Sequence, residues 1–398
     1  MQYEKGERGA IAVAALMVGV SVMFLNISPM VTGVVVDSFG FSNAQAGQLV
    51  GIPLFAMAFV NFTQVFWIRS VRHWRLMLWV SISLMMLGYI GAAYLSAYEA
   101  LMVCYVFLGA AIGAVYGASM TLISDSHDPD RGFGGAQLAQ VVISAPLMIA
   151  IPAVIVPAYG FPGLMLSLAA LPFMCLFLVR LIPDEGLYAR VSSLTENDPL
   201  SVGGVMSTQG GSLHSKLATW CTLLAVVFFM QGYTGLWVFI ERIGVERGLE
   251  STFIGSMLAI TGVVGGCSAL IPIVLGDRFG RLIPTTAGVL LFSISAVLLD
   301  LAGDLSFIIA CIFQGVSYAV CAPYIFAQLA ACDRGGKFTA ALPALIVASS
   351  GMGPLFSGWL FSDSYMPVLL FCGGSVVLAL AFMGLAHRKA MLLETIVE

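Results

Sequence analysis

The sequence predicts an all-α membrane protein with twelve transmembrane helices, arranged as two pseudo-symmetric six-helix bundles. Composition is the first reason: 60% of the 398 residues are hydrophobic, 10% are charged, and the mean hydropathy is +0.99. Soluble domains are about half apolar and about a quarter charged. The apolar residues also fall in long runs, and weak repeats relate the two halves of the chain. The lipid bilayer is therefore the expected solvent of most side chains.

Each predicted helix is an apolar segment close to the roughly 20 residues that one bilayer crossing needs. A polar stretch, 183–215, divides these segments six and six and is typical of a flexible connector. The predicted domains are an N-terminal bundle over 1–182, the connector over 183–215 and a C-terminal bundle over 216–398. The segments are 9–36, 44–67, 75–96, 98–123, 133–157, 162–182, 216–242, 251–275, 282–301, 305–330, 338–361 and 366–386.

The basic residues predict which side of the membrane each loop faces. With the N-terminus in the cytoplasm, 15 of the 17 lysines and arginines face inward, and only Arg242 and Arg247 face outward. Cytoplasmic loops carry such an excess. We therefore expect both termini in the cytoplasm and a monomeric, multi-pass protein of a bacterial-type inner (cell) membrane.

Three short matches, in the same order along the chain, relate the two halves. Asp-Arg-Gly recurs at 130 and 333, an offset of 203 residues. "GAVY" at 113 and "GVSY" at 315 are offset by 202, and "GFSNAQAG" at 40 and "GLESTFIG" at 248 by 208. Together they indicate a duplicated six-helix unit.

A charged motif, "LGDRFGR", follows the eighth apolar segment. With twelve helices and the duplication, it resembles the major facilitator superfamily, whose loop motif is roughly G-x-x-x-D-R-x-G-R-R. The match is partial, because Ile273 and Leu282 stand at the leading glycine and the last arginine. The resemblance implies transport by alternating access around a site near the bilayer midplane. It assigns a cytoplasmic gate motif to Asp277, Arg278, Gly280 and Arg281.

In this family the loop that carries the motif helps to hold the outward-open state. Its carboxylate, Asp277, is expected to face the start of the eleventh helix. A loop that only orients the protein is the alternative. The corresponding first-half loop, 67–75, keeps Arg69, Arg72 and Arg75 but contains no acid. We expect those arginines to serve topology and the cytoplasmic latch to be one-sided.

The resemblance directs attention to the first, fourth, seventh and tenth helices, which line the cavity in this fold. Their middles carry no lysine, arginine or histidine. Since intramembrane charges usually mark ion or substrate sites, a neutral, amphipathic or aromatic substrate is favoured, with a monovalent organic acid as the alternative. For each candidate a helix–helix hydrogen bond is the other interpretation. The expected substrate-binding residues are Asn26, Tyr116, Gln231, Thr234, Trp237, Gln314 and Tyr318.

A pair of opposite charges lies at the outer ends of the first and seventh helices. Asp37 and Arg242 are offset by 205 residues, the same offset as Asn26 and Gln231. We hypothesise that they pair across an external gate, with Glu241 able to compete for the arginine or to carry a proton. Two solvated helix-end charges are the alternative, and such a pair contributes about 0–1 kcal/mol.

Several classes of protein lack support in the sequence. It contains no G-x-x-x-x-G-K-[ST], H-E-x-x-H or G-x-S-x-G stretch, so neither ATP hydrolysis nor an enzyme is expected. The eight cysteines are scattered, which predicts neither disulfides nor metal ligands, and no cofactor is expected. No basic patch indicates nucleic acid. The expected partners are a small-molecule substrate, protons and the lipid bilayer.

The predicted function is secondary transport of a small organic solute, with proton coupling as the superfamily default. Facilitated diffusion stays open, because no carboxylate other than Glu241 or Asp37 lies near the expected cavity. A multidrug or metabolite exporter is an alternative, although the fifth helix lacks the GP-x-x-GG pattern of many exporters. A non-transporting sensor with the same fold is the other.

Overall fold

The computed structural model describes residues 2–126, 129–184, 213–276, 278–333, 337–362 and 364–397, which are almost entirely helical and contain no β-strand. This confirms the all-α fold class. Two 3₁₀ turns, Ile68–Ser70 and Val179–Leu181, and a π-helix, Ile151–Ile155, accompany the α-helices. The α-helices are α1 Gln2–Ser21, α2 Met23–Asn26, α3 Ser28–Phe39, α4 Asn43–Trp67, α5 Trp74–Ala93, α6 Tyr98–Ser124, α7 Pro129–Ala150, α8 Val156–Leu178, α9 Leu213–Glu246, α10 Ser251–Ser268, α11 Leu270–Leu275, α12 Leu282–Asp300, α13 Asp304–Cys332, α14 Lys337–Leu360 and α15 Met366–Val397.

Eleven stretches of the described chain are long and apolar enough to cross a membrane. One of them, Arg131–Leu181, has 51 residues, which as a helix is about 77 Å, more than twice the roughly 30 Å hydrocarbon layer. Gly160 interrupts this stretch with a φ of 59°, a conformation that glycine adopts without steric penalty. The predicted segments 133–157 and 162–182 lie on either side, so the stretch accounts for two of the twelve crossings.

The first predicted segment, 9–36, forms three consecutive helices rather than one. The breaks fall at Val22 and Ile27, whose ψ angles are −1° and −3°. Backbone bonding continues through the first break, because the Asn26 N–H donates to the Val22 carbonyl at 3.0 Å. Asn26 thus lies at the end of a four-residue helix between two interruptions of one crossing.

Residue contacts divide the chain into two compact units that do not follow the sequence halves. Unit 1 comprises Met1–Ile27, Pro53–Leu147 and Val154–Met206; unit 2 comprises Ser28–Ile52, Met148–Ala153 and Ser207–Glu398. The predicted bundles, 1–182 and 216–398, describe the sequence duplication and stay a prediction. The units differ from them by placing 28–52 and 148–153 with the second half.

The divisions between the units fall at helix breaks or at prolines inside helices. The first crossing changes unit at the Ile27 break, α4 changes at Pro53, and the fifth crossing changes around the π-helix that contains Pro152. Proline removes a backbone donor from the helical ladder and a π-bulge misaligns it. The chain therefore passes from one unit to the other where its helices are least regular.

Within unit 1, α6 lies very close to the second half of α4. A Cβ at Gly113 would lie 2.7 Å from the Met57 carbonyl oxygen, and one at Gly109 would meet the backbone of Pro53. Small residues allow such approaches in membranes, where dispersion contacts rather than water drive helix association. α1 and α5 also pack on α6, and α8 packs on α5.

Within unit 2, α9 is the central helix and packs against α3, α13, α14 and α15. α14 also meets the first half of α4 through small residues: a Cβ at Gly51 would lie 2.6 Å from the Gly351 carbonyl oxygen, and one at Gly358 would lie 3.1 Å from the Gly47 Cα. These close contacts place α3 and the start of α4 on the same unit as α9, which positions the charged pair considered below.

The ends of α3 and α9 share a backbone feature. Gly40 and Gly248, the first residues of one predicted repeat, have φ angles of 67° and 80°. Only glycine adopts this region readily, which ends a helix. After Gly40, Ser42 and Gln45 form a reciprocal capping box, with the Ser42 N–H donating to Gln45 Oε1 at 3.0 Å and the Gln45 N–H to Ser42 Oγ at 3.2 Å.

Candidate functional site

The structure brings Asp37 and Arg242 together inside unit 2. Asp37 lies near the end of α3, Arg242 lies in the last turns of α9, and Arg242 Nη1 donates to Asp37 Oδ1 at 2.6 Å. The arginine side chain is 13% exposed and the aspartate 60%. The pair anticipated from the shared offset is therefore present as an ion pair, and its action as a gate stays a prediction.

Glu241 precedes this arginine and is buried, with 4% of its surface exposed. Its carboxylate lies directly against the α3 backbone at Gly33, where an added Cβ would be 2.7 Å from Glu241 Oε1. Oε2 of Glu241 has no hydrogen-bond partner among the described residues, and neither does the buried hydroxyl of the adjacent Thr32. A buried carboxylate with an unpaired oxygen is expensive to keep ionised, so this position is unusual for a purely structural residue.

Two expected substrate residues on α9 use their polar atoms to join helices. Gln231 Nε2 donates to Ser375 Oγ at 3.2 Å. Thr234 Oγ1 lies 2.6 Å from the Met230 carbonyl and 2.9 Å from the Ser350 carbonyl. These bonds tie α9 to α15 and α14, which is the alternative role that the sequence left open.

Tyr318 lies in an aromatic cluster with three residues that the sequence reasoning missed. The cluster consists of Phe229, Tyr233, Phe292 and Tyr318, from α9, α12 and α13. The Tyr233 and Tyr318 rings are 4.7 Å apart, and both side chains are half-buried. A signal existed in the sequence, because Phe229, Tyr233 and Trp237 recur every four residues on one face of a helix.

Gln314 lies one turn before Tyr318 on α13 and is fully buried. Neither its amide nitrogen nor its oxygen has a hydrogen-bond partner in the part of the chain that the structure describes. Buried amides are nearly always paired, so Gln314 stands out among the expected substrate residues.

The remaining expected substrate residues are divided between the units. Trp237 belongs to unit 2 and is buried at 8% exposed. Asn26 and Tyr116 belong to unit 1, at the end of α2 and in the middle of α6, and both are half-buried.

The second-half loop motif folds into a turn between α11 and α12. Asp277 lies outside the described residues. Tyr324 donates from its hydroxyl to the Gly276 carbonyl at 3.0 Å, and Arg281 Nη1 donates to Gln328 Oε1 at 3.3 Å. Gly280 has a φ of 64°, and Arg278 is exposed. α13 thus holds both ends of the turn, and the role of this motif as a cytoplasmic gate stays a prediction.

One arginine of the first-half loop has an acidic partner from elsewhere in the chain. Arg69 Nη2 pairs with Asp125 Oδ1 at 2.9 Å, and the role of the loop's arginines in topology stays a prediction. Asp125 follows the last residue of α6, and its side chain is 8% exposed. Burial raises the pKa of the Asp125 carboxyl above its usual value, and the Arg69 guanidinium opposes that rise. The acid was missed because it lies on another helix, 56 positions along the chain.

The helices and the polar side chains inside them define a multi-pass membrane protein with a transporter fold. The chain belongs to the Major Facilitator Superfamily, whose family model matches residues 10–271. The family indicates a transporter rather than an enzyme. A search of curated proteins found no match.

Solved transporters share the fold at low identity. A nucleoside transporter, NupG, is 13% identical with a TM-score of 0.69 over 96% of this chain and 98% of its own. A mutant of the peptide transporter POT in complex with sulfate is 13% identical with a TM-score of 0.74, covering 97% of this chain and 95% of its own. The xylose transporter XylE from E. coli is 15% identical with a TM-score of 0.68, covering 96% and 97%.

Proposed function

We propose that this protein is a proton-coupled secondary transporter of a small organic solute, working by alternating access in the cell (inner) membrane with both termini in the cytoplasm. The observation that carries the proposal is Glu241, buried on Gly33 beside the Asp37–Arg242 pair. Ionisable residues inside membrane helices are rare and usually mark ion or substrate pathways. The distribution of basic residues supports the orientation.

The coupling rests on one arginine that has two acidic neighbours. Arg242 is paired with Asp37, while Glu241, next to it in sequence, is withdrawn against α3. Separating α3 from α9 breaks the ion pair and exposes Glu241 to water, where it releases a proton and can pair with the freed arginine. Closing the helices again favours reprotonation, because desolvating an unpaired carboxylate is costly.

The test is accumulation of solute in proteoliposomes under an imposed pH gradient, with the solute found from ligand-induced thermal shifts at two pH values. Wild-type protein accumulates the solute. Glu241→Gln abolishes gradient-driven accumulation but retains exchange of solute across the membrane. Glu246→Gln, on an exposed position of the same helix, is the matched control and accumulates normally. Gradient-driven accumulation by Glu241→Gln at the wild-type rate contradicts the proposal.

A further inference from the structure

The aromatic cluster sets two half-buried tyrosines against two buried phenylalanines. Phe229 and Phe292 are fully buried, and the Phe229 ring is nearly parallel to those of Tyr233 and Tyr318, with centroids 6.2 and 6.3 Å away. The Phe292 ring centroid lies 6.1 Å from that of Tyr233. The inner phenylalanines therefore limit how far the half-buried tyrosines can turn. Preorganised aromatic faces favour a planar ring, because stacked and edge-on geometries add attraction beyond area burial.

The helices around the cluster exclude a charged ligand. Residues 217–240, 282–299 and 305–331, which make up most of α9, α12 and α13, contain no Asp, Glu, Lys, Arg or His. A charge placed there finds no partner and loses its hydration. A ligand that stacks on these tyrosines must therefore be neutral.

Gln314 adds hydrogen-bonding groups beside the aromatic cluster. It lies four residues before Tyr318, so both side chains are on the same face of α13, and its buried amide donor and acceptor are both unpaired within the described chain. A primary amide pairs best with a group that offers an adjacent acceptor and donor, as glutamine does with the edge of adenine. A ligand edge of that kind relieves both unpaired atoms at once.

We infer that the aromatic cluster and Gln314 form a recognition site for a neutral, planar nitrogen heteroaromatic ring with adjacent hydrogen-bond donor and acceptor groups. The inference rests on the proposed transport function and specifies the solute class. Tyr233 and Tyr318 stack on the ring, and Gln314 reads its edge. Tyr318 and Gln314 are on α13 and Tyr233 is on α9, so all three belong to unit 2.

Binding to the purified full-length protein in lipid nanodiscs tests the site by calorimetry. Nicotinamide and adenine are the probes, cyclohexanecarboxamide keeps the carboxamide without the planar ring, and nicotinate adds a charge. At least one probe binds saturably and about tenfold or more tightly than both comparison compounds. Equal binding of cyclohexanecarboxamide or nicotinate, or no saturable binding of either probe, overturns the inference.

Substitutions separate stacking from edge recognition. Tyr233→Leu and Tyr318→Leu each weaken nicotinamide binding about tenfold, whereas Tyr233→Phe stays within about threefold of wild type. Gln314→Leu removes the preference for nicotinamide over 3-methylpyridine, which lacks the carboxamide. Phe228→Leu is the matched control, since Phe228, on a different face of α9, stacks on Phe382 of α15. A loss in Phe228→Leu as large as in the tyrosine variants contradicts a local site.

Failure of this inference and failure of the proposed function give different results. If the probes bind but proteoliposomes move neither them nor any solute that shifts the thermal unfolding, the recognition site stands and transport is overturned. If the protein transports a solute whose uptake neither nicotinamide nor adenine inhibits, transport stands and the recognition site is overturned.

Discussion

Asp37 accepts a hydrogen bond of 2.6 Å from Arg242, a residue 205 positions further along the chain. The bond joins α3 to α9, and the arginine side chain is mostly buried while the aspartate remains largely exposed. A pair with one solvated member contributes little to folding stability. Its position at the junction of two helices gives it more influence on which state the helices adopt.

Exchanging the two charges tests the gate. Asp37→Ala and Arg242→Ala each reduce solute uptake about threefold to tenfold, because the closed arrangement of α3 and α9 loses its ion pair. The double variant Asp37→Arg with Arg242→Asp restores most of the uptake in proteoliposomes. Failure of the double variant to exceed either single-charge reversal rejects the pairing as a gate.

Arg247, five residues after Arg242, provides a contrast because its contacts suit a structural role rather than a gate. Its guanidinium donates to the Gly303 carbonyl and to Ser306 Oγ, both at 2.9 Å, and lies 5.7 Å from the Phe307 ring centroid. We expect Arg247→Ala to lower the free energy of unfolding by about 2 kcal/mol, measured by thermal unfolding, while Arg242→Ala changes it by less than half as much. Equal destabilisation by both variants argues that Arg242 is also structural.

A methyl group at Gly33 tests the contact with Glu241. The added Cβ of Gly33→Ala occupies the space of the carboxylate, and overpacking of this kind costs about 1–3 kcal/mol. We expect proton-driven uptake to fall and the shorter Glu241→Asp to restore part of it in the double variant. Gly262→Ala, where no atom lies within 4 Å of the added Cβ, is the control and leaves uptake unchanged. Uptake by Gly33→Ala at the wild-type level contradicts the role of this contact.

The Arg69–Asp125 pair predicts a pH dependence of stability. Because burial raises the pKa of Asp125 above its usual 3.8, the native state binds a proton more readily than the unfolded state does. Stability is therefore greatest below the unfolded-state pKa of Asp125 and falls as pH rises through its higher native-state pKa. Arg69→Met removes the opposing charge and raises the pKa further, so it destabilises the protein more at about pH 8 than at about pH 4.

Thermal unfolding of wild type and Arg69→Met over that pH range measures the effect. Arg72→Met, which removes an exposed arginine from the same loop, is the matched control and leaves the profile unchanged. In a protein that also carries Asp125→Asn, the destabilisation by Arg69→Met no longer depends on pH. An equal loss of stability at both pH values would contradict a titrating Asp125.

Sequence reasoning predicted the helices and one charged pair because those rest on strong local signals. Apolar runs of the length of a bilayer gave the crossings, and a shared offset of 205 related Asp37 to Arg242. It missed Tyr233 and Phe292, since a membrane helix is apolar on all sides and its sequence does not show which aromatic residues face each other. It also missed Asp125, because its partner Arg69 lies 56 positions away in the chain and no local pattern relates the two.

The division of single crossings between compact units has a practical consequence for spectroscopy. Attachment sites at Gly9 and Val34 lie in one predicted crossing but in different units, whereas Val34 and Gly262 lie in different sequence halves but in the same unit. Dye or spin-label pairs for distance measurements should therefore be assigned by unit. A probe pair that joins α3 to the second sequence half lies within one unit in this structure, so an increase of its distance during transport would report the separation of α3 from α9 on which the proposed proton coupling depends.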